Sequence, residues 1–234
     1  MSFQYEHPRA AIAVDIVVFG YDEAETELRI LLIQRGTDPF SGRWALPGGF
    51  VDIGRDETTD EAAKRELAEE TGVDDIFFEQ LCTVSTPHRD PRGRVVTVAH
   101  FALINLNAHP VKASSDARDA RWFPLNDLPP LAFDHQEIVD TATKRLRSKV
   151  RYQPLGFELL PELFTLTQLQ RLYETVLEST LDKRNFRKKV LRLGLVEDSG
   201  EVQKDVPHRA AVLYRFDAEN HARLSEYGFE LALP

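Results

Sequence analysis

Three glutamates at i, i+3 and i+4, Glu66, Glu69 and Glu70, constrain this 234-residue chain more than any other feature. The spacing places all three carboxylates on one face of a helix. Like charges this close repel unless a cation sits among them, and hard oxygen donors at this density suit Mg²⁺ or Mn²⁺. Such ions bind diphosphates and activate water. Arg65 stands one turn before Glu69, where it can hold a carboxylate, and the Gly48-Gly49 turn lets backbone approach a ligand or a metal. Alone, three glutamates are also what a solvated acidic helix face looks like. The surrounding order of residues decides between the two.

That order is α/β. Ala11–Phe19, Leu28–Arg35, residues 77–84 and residues 95–104 are apolar, β-branched runs that read as strands. Thr58 and Glu61 have capping-box spacing before a helix over Glu61–Thr71, with Gly72 as the stop. A second helix is expected over His135–Val150, with Asp134 as N-cap. The Pro- and Gly-containing stretch Arg151–Pro161 breaks this pattern and reads as a connector. A helix near Thr167–Leu177, a short turn and a helix from Lys183 to Leu193 follow, the last capped by Asp182 and Gly194. Two extended runs, LVEDSGEV and AAVLYRF, complete the layout of a winged helix-turn-helix. The expected domains are therefore 1–150 and 151–234.

Charge separates the two parts. Residues 1–150 carry 17 basic and 25 acidic side chains, and residues 151–234 carry 12 and 13. A net charge of −9 makes the whole chain a poor non-specific nucleic-acid binder, so any DNA contact needs a local basic patch. Lys183–Arg192 supplies one, with six bases and no acid. Cys82 is the one cysteine, so no intrachain disulfide forms. No apolar stretch approaches the ~20 residues of a bilayer span, and MSFQYEHPRA lacks a signal-peptide layout. These features lead to the expectation of a soluble, cytoplasmic protein with no membrane partner.

LPGGF, then Glu57, a seven-residue gap and RELAEETGV closely resemble the Nudix box, Gly-x5-Glu-x7-Arg-Glu-U-x-Glu-Glu-x-Gly-U. Glu57, Arg65, Glu66, Leu67, Glu69, Glu70, Gly72 and Val73 all match. The pattern has Gly where Val51 stands here, and Gly49 lies two residues further back, so the loop is lengthened by two. The resemblance implies an α/β/α sandwich around a mixed sheet over roughly residues 8–150. It also implies a metal contact from the backbone near Gly49. Glu66 and Glu70 would be the main Mg²⁺ or Mn²⁺ ligands, Glu69 a further ligand or the base, and Arg65 the orienting cation.

Thr86-Pro-His-Arg-Asp-Pro-Arg-Gly-Arg94 resembles a loop of the ADP-ribose pyrophosphatases in the Nudix superfamily. Arg89, Arg92 and Arg94 could meet phosphate or ribose oxygens by forked hydrogen bonds. The same residues also make an ordinary polar turn. His135, in LAFDHQEIV, is expected to make local capping hydrogen bonds rather than to take part in catalysis.

In the helix Lys183–Leu193, Phe186, Val190 and Leu193 form an apolar seam, while Lys183, Arg184, Asn185, Arg187 and Lys188 fall largely elsewhere. A basic helix with Asn near its start suits the major groove, where Arg reads guanine and Asn reads adenine. It also suits a solvated basic face. FTLTQLQRLYETVL, LDKRNFRKKVL and HRAAVLYRF together resemble the C-terminal winged helix of NrtR-type regulators, Nudix-related transcriptional regulators of NAD metabolism. His208 and Arg209, with Tyr214 and Arg215, would then lie on a wing against the phosphate backbone. The resemblance implies a homodimer on a palindromic operator with ADP-ribose or a related nucleotide as ligand, and retained Mg²⁺-dependent hydrolysis beside regulation. The alternative is a plain Nudix hydrolase of ADP-ribose or a related nucleoside diphosphate derivative, whose C-terminal domain serves dimerisation or protein contacts.

Overall fold

The first apolar run becomes the centre of a sheet. In the computed structural model, which describes residues 6–73, 76–106, 117–204, 207 and 209–226, strand β1 spans Ala11–Asp22. Its Val14, Ile16, Val17, Val18 and Phe19 have no exposed surface, as expected for a strand covered on both faces. Around it lie β2 (Glu27–Arg35), β3 (Trp44–Ala45), β4 (Gly48–Phe50), β5 (Phe77–Val84), β6 (Val95–Ile104) and β7 (Ala117–Pro124). The strand order is β3-β2-β1-β6-β5, with β4 paired to β1 and β7 to β2.

Three strands lie outside the expected set. β3 and β4 are too short for a periodic signal, and β7 (ARDARWFP) is too charged for one. β7 is nonetheless held antiparallel to β2, with Leu31 opposite Trp122 and Ile33 opposite Ala120. Tertiary pairing here outweighs local propensity.

Helix α1 (Thr59–Thr71) begins as the sequence dictates. The Thr58 hydroxyl accepts from the Glu61 amide, and the Glu61 carboxylate accepts from the Thr58 amide, so the capping box is complete. Gly72 ends the helix at φ 72°, donating its N–H to the Ala68 carbonyl. α1 buries Ala62, Ala63, Leu67 and Thr71, and Glu70 with them. Helix α2 (His135–Lys149) follows Asp134 as expected.

The chain divides into two compact units. The first takes in the described residues of 1–19, 29–103 and 109–142, and the second those of 20–28, 104–108 and 143–234. Within the second unit, the stretch read as a connector is packed. Leu155–Leu159 form a 3-10 turn in which Phe157 stacks on Phe216 at 4.3 Å and meets Phe164 at 5.5 Å. Helix α3 (Leu166–Leu177) opens with a second complete capping box, Thr165 with Gln168. Helix α4 (Lys183–Arg192) opens on Asp182, whose carboxylate accepts from the Asn185 amide. Strands β8 (Val196–Val202) and β9 (Val212–Phe216) form the antiparallel wing, and α5 (Ala218–Glu226) follows it.

Two links hold this unit together. Phe164 and Tyr214 exchange backbone hydrogen bonds at 2.9 and 2.8 Å, tying the start of α3 to the wing. The Asn220 amide donates to the Leu193 and Gly194 carbonyls, closing the end of α4. Among the described residues, no helix is long and apolar enough to cross a membrane.

Candidate functional site

Arg65 organises the carboxylates. Its Nε and one terminal nitrogen donate to the two oxygens of Glu57 at 2.9 and 2.7 Å, and its other terminal nitrogen donates to Glu66 at 2.8 Å and Glu69 at 3.2 Å. This forked grip holds the Glu57 carboxyl down at about 2 and raises the Arg65 guanidinium further. The lengthened loop does not disturb it. The extra residues are taken up by a 3-10 turn at Ile53–Arg55, capped by Asp52 and ended by Asp56 in the left-handed region. Glu57 is thereby returned to Arg65, and its Oε1 also accepts from the Asp52 amide at 2.7 Å.

Glu66 and Glu70 line a cleft of about 250 Å³ together with Gly48 and Gly49. Burial raises both carboxyls, Glu70 to about 8, even though the Gly48 N–H donates to Glu70 at 2.8 Å. Buried Glu70 and half-buried Glu66, on one side of the cleft, form a donor set that a hard divalent cation fits. The backbone leaves room on the same side, because a Cβ on Gly49 would overlap the Glu66 carboxylate. Glu69 lies apart. Its oxygens are held by Arg65 and approached by Arg55 at 3.7 Å, and it does not line the cleft. Among the described residues, no three acidic, His or Cys side chains already converge on one point as metal ligands.

The two glycines have different tasks, which substitution separates. Gly48 sits at φ 151°, and a Cβ there would overlap the Val14 carbonyl oxygen across the β1–β4 pairing. Gly48→Ala is expected to melt well below wild type, because fixed backbone has to move. At Gly49 the obstacle is the end of a flexible side chain. Gly49→Ala is expected to melt close to wild type and to show no rise in melting temperature with Mg²⁺, where a rise is expected of wild type. Thermal melting with and without Mg²⁺ distinguishes the two.

Below the carboxylates, residues far apart in sequence form a buried network. Arg89 donates to Asp134 at 2.6 and 2.8 Å and to Asp15 at 3.1 Å, with its side chain only 4% exposed. Its Nε and one terminal nitrogen are thus bound by protein carboxylates while the residue lines the cleft, and the Asp134 side chain, expected to cap α2, is turned to it. His135 lines the cleft, and its ring bonds to distant residues instead of making the local bonds expected of it. Its Nδ1 accepts from the Leu46 amide, 89 positions away, at 2.9 Å, and its Nε2 faces Asp15 at 3.3 Å. Because Nδ1 accepts an N–H, it carries no proton, and the ring meets Asp15 through Nε2–H. Burial alone would raise the Asp15 carboxyl, but His135 and Arg89 beside it hold it well below the usual range.

Arg92 lines the cleft, and Arg94 is exposed outside its lining. The Arg92 Nε and one terminal nitrogen donate to Asp90, and its guanidinium lies over the rings of Phe50 and Phe133. Arg35 and Phe133 also line the cleft. Sequence reasoning missed Asp15, Arg35 and Phe133, because nothing local distinguishes a strand Asp, a strand-end Arg or a loop Phe from hundreds like them.

In α4, Phe186 and Val190 are 3% and 2% exposed and form the inner seam. Lys183, Arg184, Asn185, Lys188 and Arg192 are exposed, giving a basic outer face. Arg187 departs from the others: it is half-buried and donates to the Thr167 hydroxyl of α3 at 2.8 Å. Arg209 is exposed before β9, and His208 lies outside the described residues.

Comparison with known proteins agrees with both parts. Residues 9–142 match the NUDIX domain model, and residues 156–216 match the NrtR DNA-binding winged helix domain model. The chain is 40% identical over 228 residues to the ADPR responsive transcriptional repressor NtrR of Acinetobacter baylyi, covering 95% of this chain and 90% of that one. It is similar to the crystal structure of Shewanella oneidensis NrtR complexed with a 27mer DNA, with TM-score 0.80 and 37% identity over 90% of this chain and 95% of that one. The NUDIX domain of Shewanella oneidensis NrtR complexed with ADP ribose matches 60% of this chain and 90% of that one, with TM-score 0.56 and 40% identity.

Proposed function

The chain belongs to the NrtR family of Nudix-domain transcriptional regulators, and on that premise we propose that it is a repressor released from operator DNA when its Nudix cleft binds ADP-ribose. The observation that carries this reading is the presence, in one chain, of a carboxylate cleft built by α1 and the Gly48-Gly49 turn and an exposed basic face on α4. A pure hydrolase has no use for the second. ADP-ribose is what remains when NAD is consumed, so its accumulation would relieve repression of genes of NAD metabolism. A palindromic operator requires two recognition helices related by a two-fold axis, hence a homodimer.

The cleft also fits hydrolysis of ADP-ribose to AMP and ribose 5-phosphate. Glu66 and Glu70 would hold Mg²⁺ beside Gly49. When bound, the ion would neutralise the diphosphate and make a water acidic enough to attack phosphorus. Water adds to one phosphorus as the bridging oxygen leaves with the other. Arg65 fixes Glu57, Glu66 and Glu69 in place, which keeps the Glu66 carboxylate aimed at the cleft. Arg89 and Asp134 keep the floor rigid. Because Glu69 is held by Arg65 and Arg55 away from the cleft, Glu66 and Glu70 carry the metal in this reading.

A gel shift of the protein on DNA from upstream of its own gene, with and without ADP-ribose and Mg²⁺, tests the reading. A retarded band that ADP-ribose abolishes is the expected result. A ligand acts on DNA affinity only by binding the two states of the regulator unequally, so a band indifferent to saturating ADP-ribose rejects the sensor. Absence of any band with intact ADP-ribose hydrolysis would leave the plain hydrolase.

A further inference from the structure

The outer face of α4 is basic with one interruption. Arg184, Lys188 and Leu191 stand at i, i+4 and i+7, so they form one stripe along the helix. The stripe is turned away from the core. Phe186 and Val190, on the opposite side of the helix, are buried, whereas Arg184 and Lys188 are exposed and Leu191 is 46% exposed. Single exposed leucines are ordinary on protein surfaces. This one stands in a row of cations, with Arg192 beside it also exposed, on the face that the proposed function turns to DNA.

The backbone gives a second, independent observation. Leu191 lies in the last turn of α4, where helices ordinarily fray. Here that turn is locked. The Leu191 carbonyl accepts from the Leu193 and Gly194 amides, the latter at 3.1 Å. The Asn220 side-chain amide in turn donates to the Leu193 and Gly194 carbonyls at 3.1 and 2.7 Å. The leucine is thus carried on backbone already fixed, and ordering it on binding costs little.

We propose that Leu191 selects thymine, its side chain packing on a thymine C5-methyl in the major groove of the operator. This deepens the reading of the chain as a DNA-binding regulator and rests on it. At the base edges of the major groove, the thymine methyl is the apolar group, and the rest are hydrogen-bond donors and acceptors. Leucine over a cytosine or adenine amino group would strip water from a donor and return no partner. Over a methyl, both sides withdraw apolar surface from water. The spacing also places the base. Leu191 stands seven residues beyond Arg184, about 10 Å along the helix axis, or roughly three base steps of DNA. With α4 lying along the groove, the thymine falls roughly three steps from the base that Arg184 meets.

The test is fluorescence anisotropy of the full-length protein on a duplex from upstream of its own gene, made either with thymine or with uracil throughout. Uracil keeps the hydrogen-bonding groups of thymine and lacks the methyl. Wild type is expected to bind the uracil duplex roughly 3- to 10-fold more weakly. Uracil also changes the DNA itself, so the deciding quantity is the difference between variants on the same two duplexes. Leu191→Ala, which leaves the core intact, should melt with wild type, bind the thymine duplex more weakly and lose most of the preference for it. Leu191→Met keeps an apolar side chain and should restore the preference. Lys188→Ala should weaken both duplexes and keep the wild-type preference, because it grips phosphate. A preference as large in Leu191→Ala as in wild type overturns the proposal and leaves the regulator reading standing, and so does wild type indifferent to the methyl. A changed oligomeric state in Leu191→Ala with the preference intact overturns it in favour of a contact between protomers. Wild type that binds neither duplex overturns both readings.

Discussion

Glu70→Gln is expected to melt at a higher temperature than wild type without metal, and to cleave ADP-ribose slower by orders of magnitude. Both effects have one cause. Glu70 is buried, and its carboxyl is raised from 4.5 to about 8 by that burial. The unfolded chain ionises above pH 4.5 while the folded chain holds its proton up to about pH 8. Folding stability without metal therefore falls as pH rises through that window, by on the order of 3 kcal/mol at neutral pH. A glutamine can still accept from the Gly48 amide and carries no charge to desolvate, so the pH-dependent loss disappears. It also removes the anionic ligand proposed above, so Mg²⁺ is expected to leave its melting temperature unchanged. Melting curves between pH 5 and pH 8 with and without Mg²⁺, beside a turnover assay, check both. Wild-type stability flat across that window, or full turnover in Glu70→Gln, would remove Glu70 from the role assigned to it.

Arg184→Ala is expected to lower operator affinity by a factor of roughly 5 to 150, the range for losing one direct contact to a base. Arg184 stands exposed in the first turn of α4, the end of a recognition helix that meets base edges. Lys188→Ala should weaken binding to all sequences alike and reduce the salt slope by about 1, because an ammonium grips phosphate. Arg187 is the instructive control. Its bond to Thr167 joins α4 to α3, so Arg187→Ala should lower the melting temperature as well as DNA binding. ADP-ribose binding should be unchanged in Arg184→Ala and Lys188→Ala. Fluorescence anisotropy of an operator duplex over a salt series separates the cases. Affinity unaffected by Arg184→Ala would take the recognition role away from this face of α4.

What could be read from the sequence was local. The capping boxes at Thr58 and Thr165, the Asp182 cap and the left-handed Gly72 are set by side chains within four residues of each other. The strand at Ala11 and the carboxylate helix were legible because period and composition are properties of short windows. The cleft was legible only on the helix side. Its opposite wall is assembled from Asp15, Arg35, Arg92, Phe133 and His135, which lie on β1, β2 and separate loops or helix ends. Only sheet pairing brings them together, and no window contains it. The Arg89 reading shows the same limit from the other side. Its type and loop pointed to the cleft, which it lines, but nothing in that loop foretold Asp15 and Asp134 as its partners.

The paired backbone bonds between Phe164 and Tyr214 bear on how such a regulator can be switched. They bind the wing to the root of α3, while Asn220 clamps the tail of α4 and Thr167 clamps its middle. The wing and α4, the proposed recognition helix, thus form one stiff die, with little freedom to retune its own profile against a groove. Two such dies in the proposed dimer work as the jaws of a calliper. Their match to DNA is set by the gap between them, against a helical repeat of about 34 Å. A bound nucleotide that widened or narrowed the gap by a few ångströms would leave each jaw intact and still spoil the grip. The spacing between half-sites, more than the letters within each, would then be the operator property that the nucleotide gates.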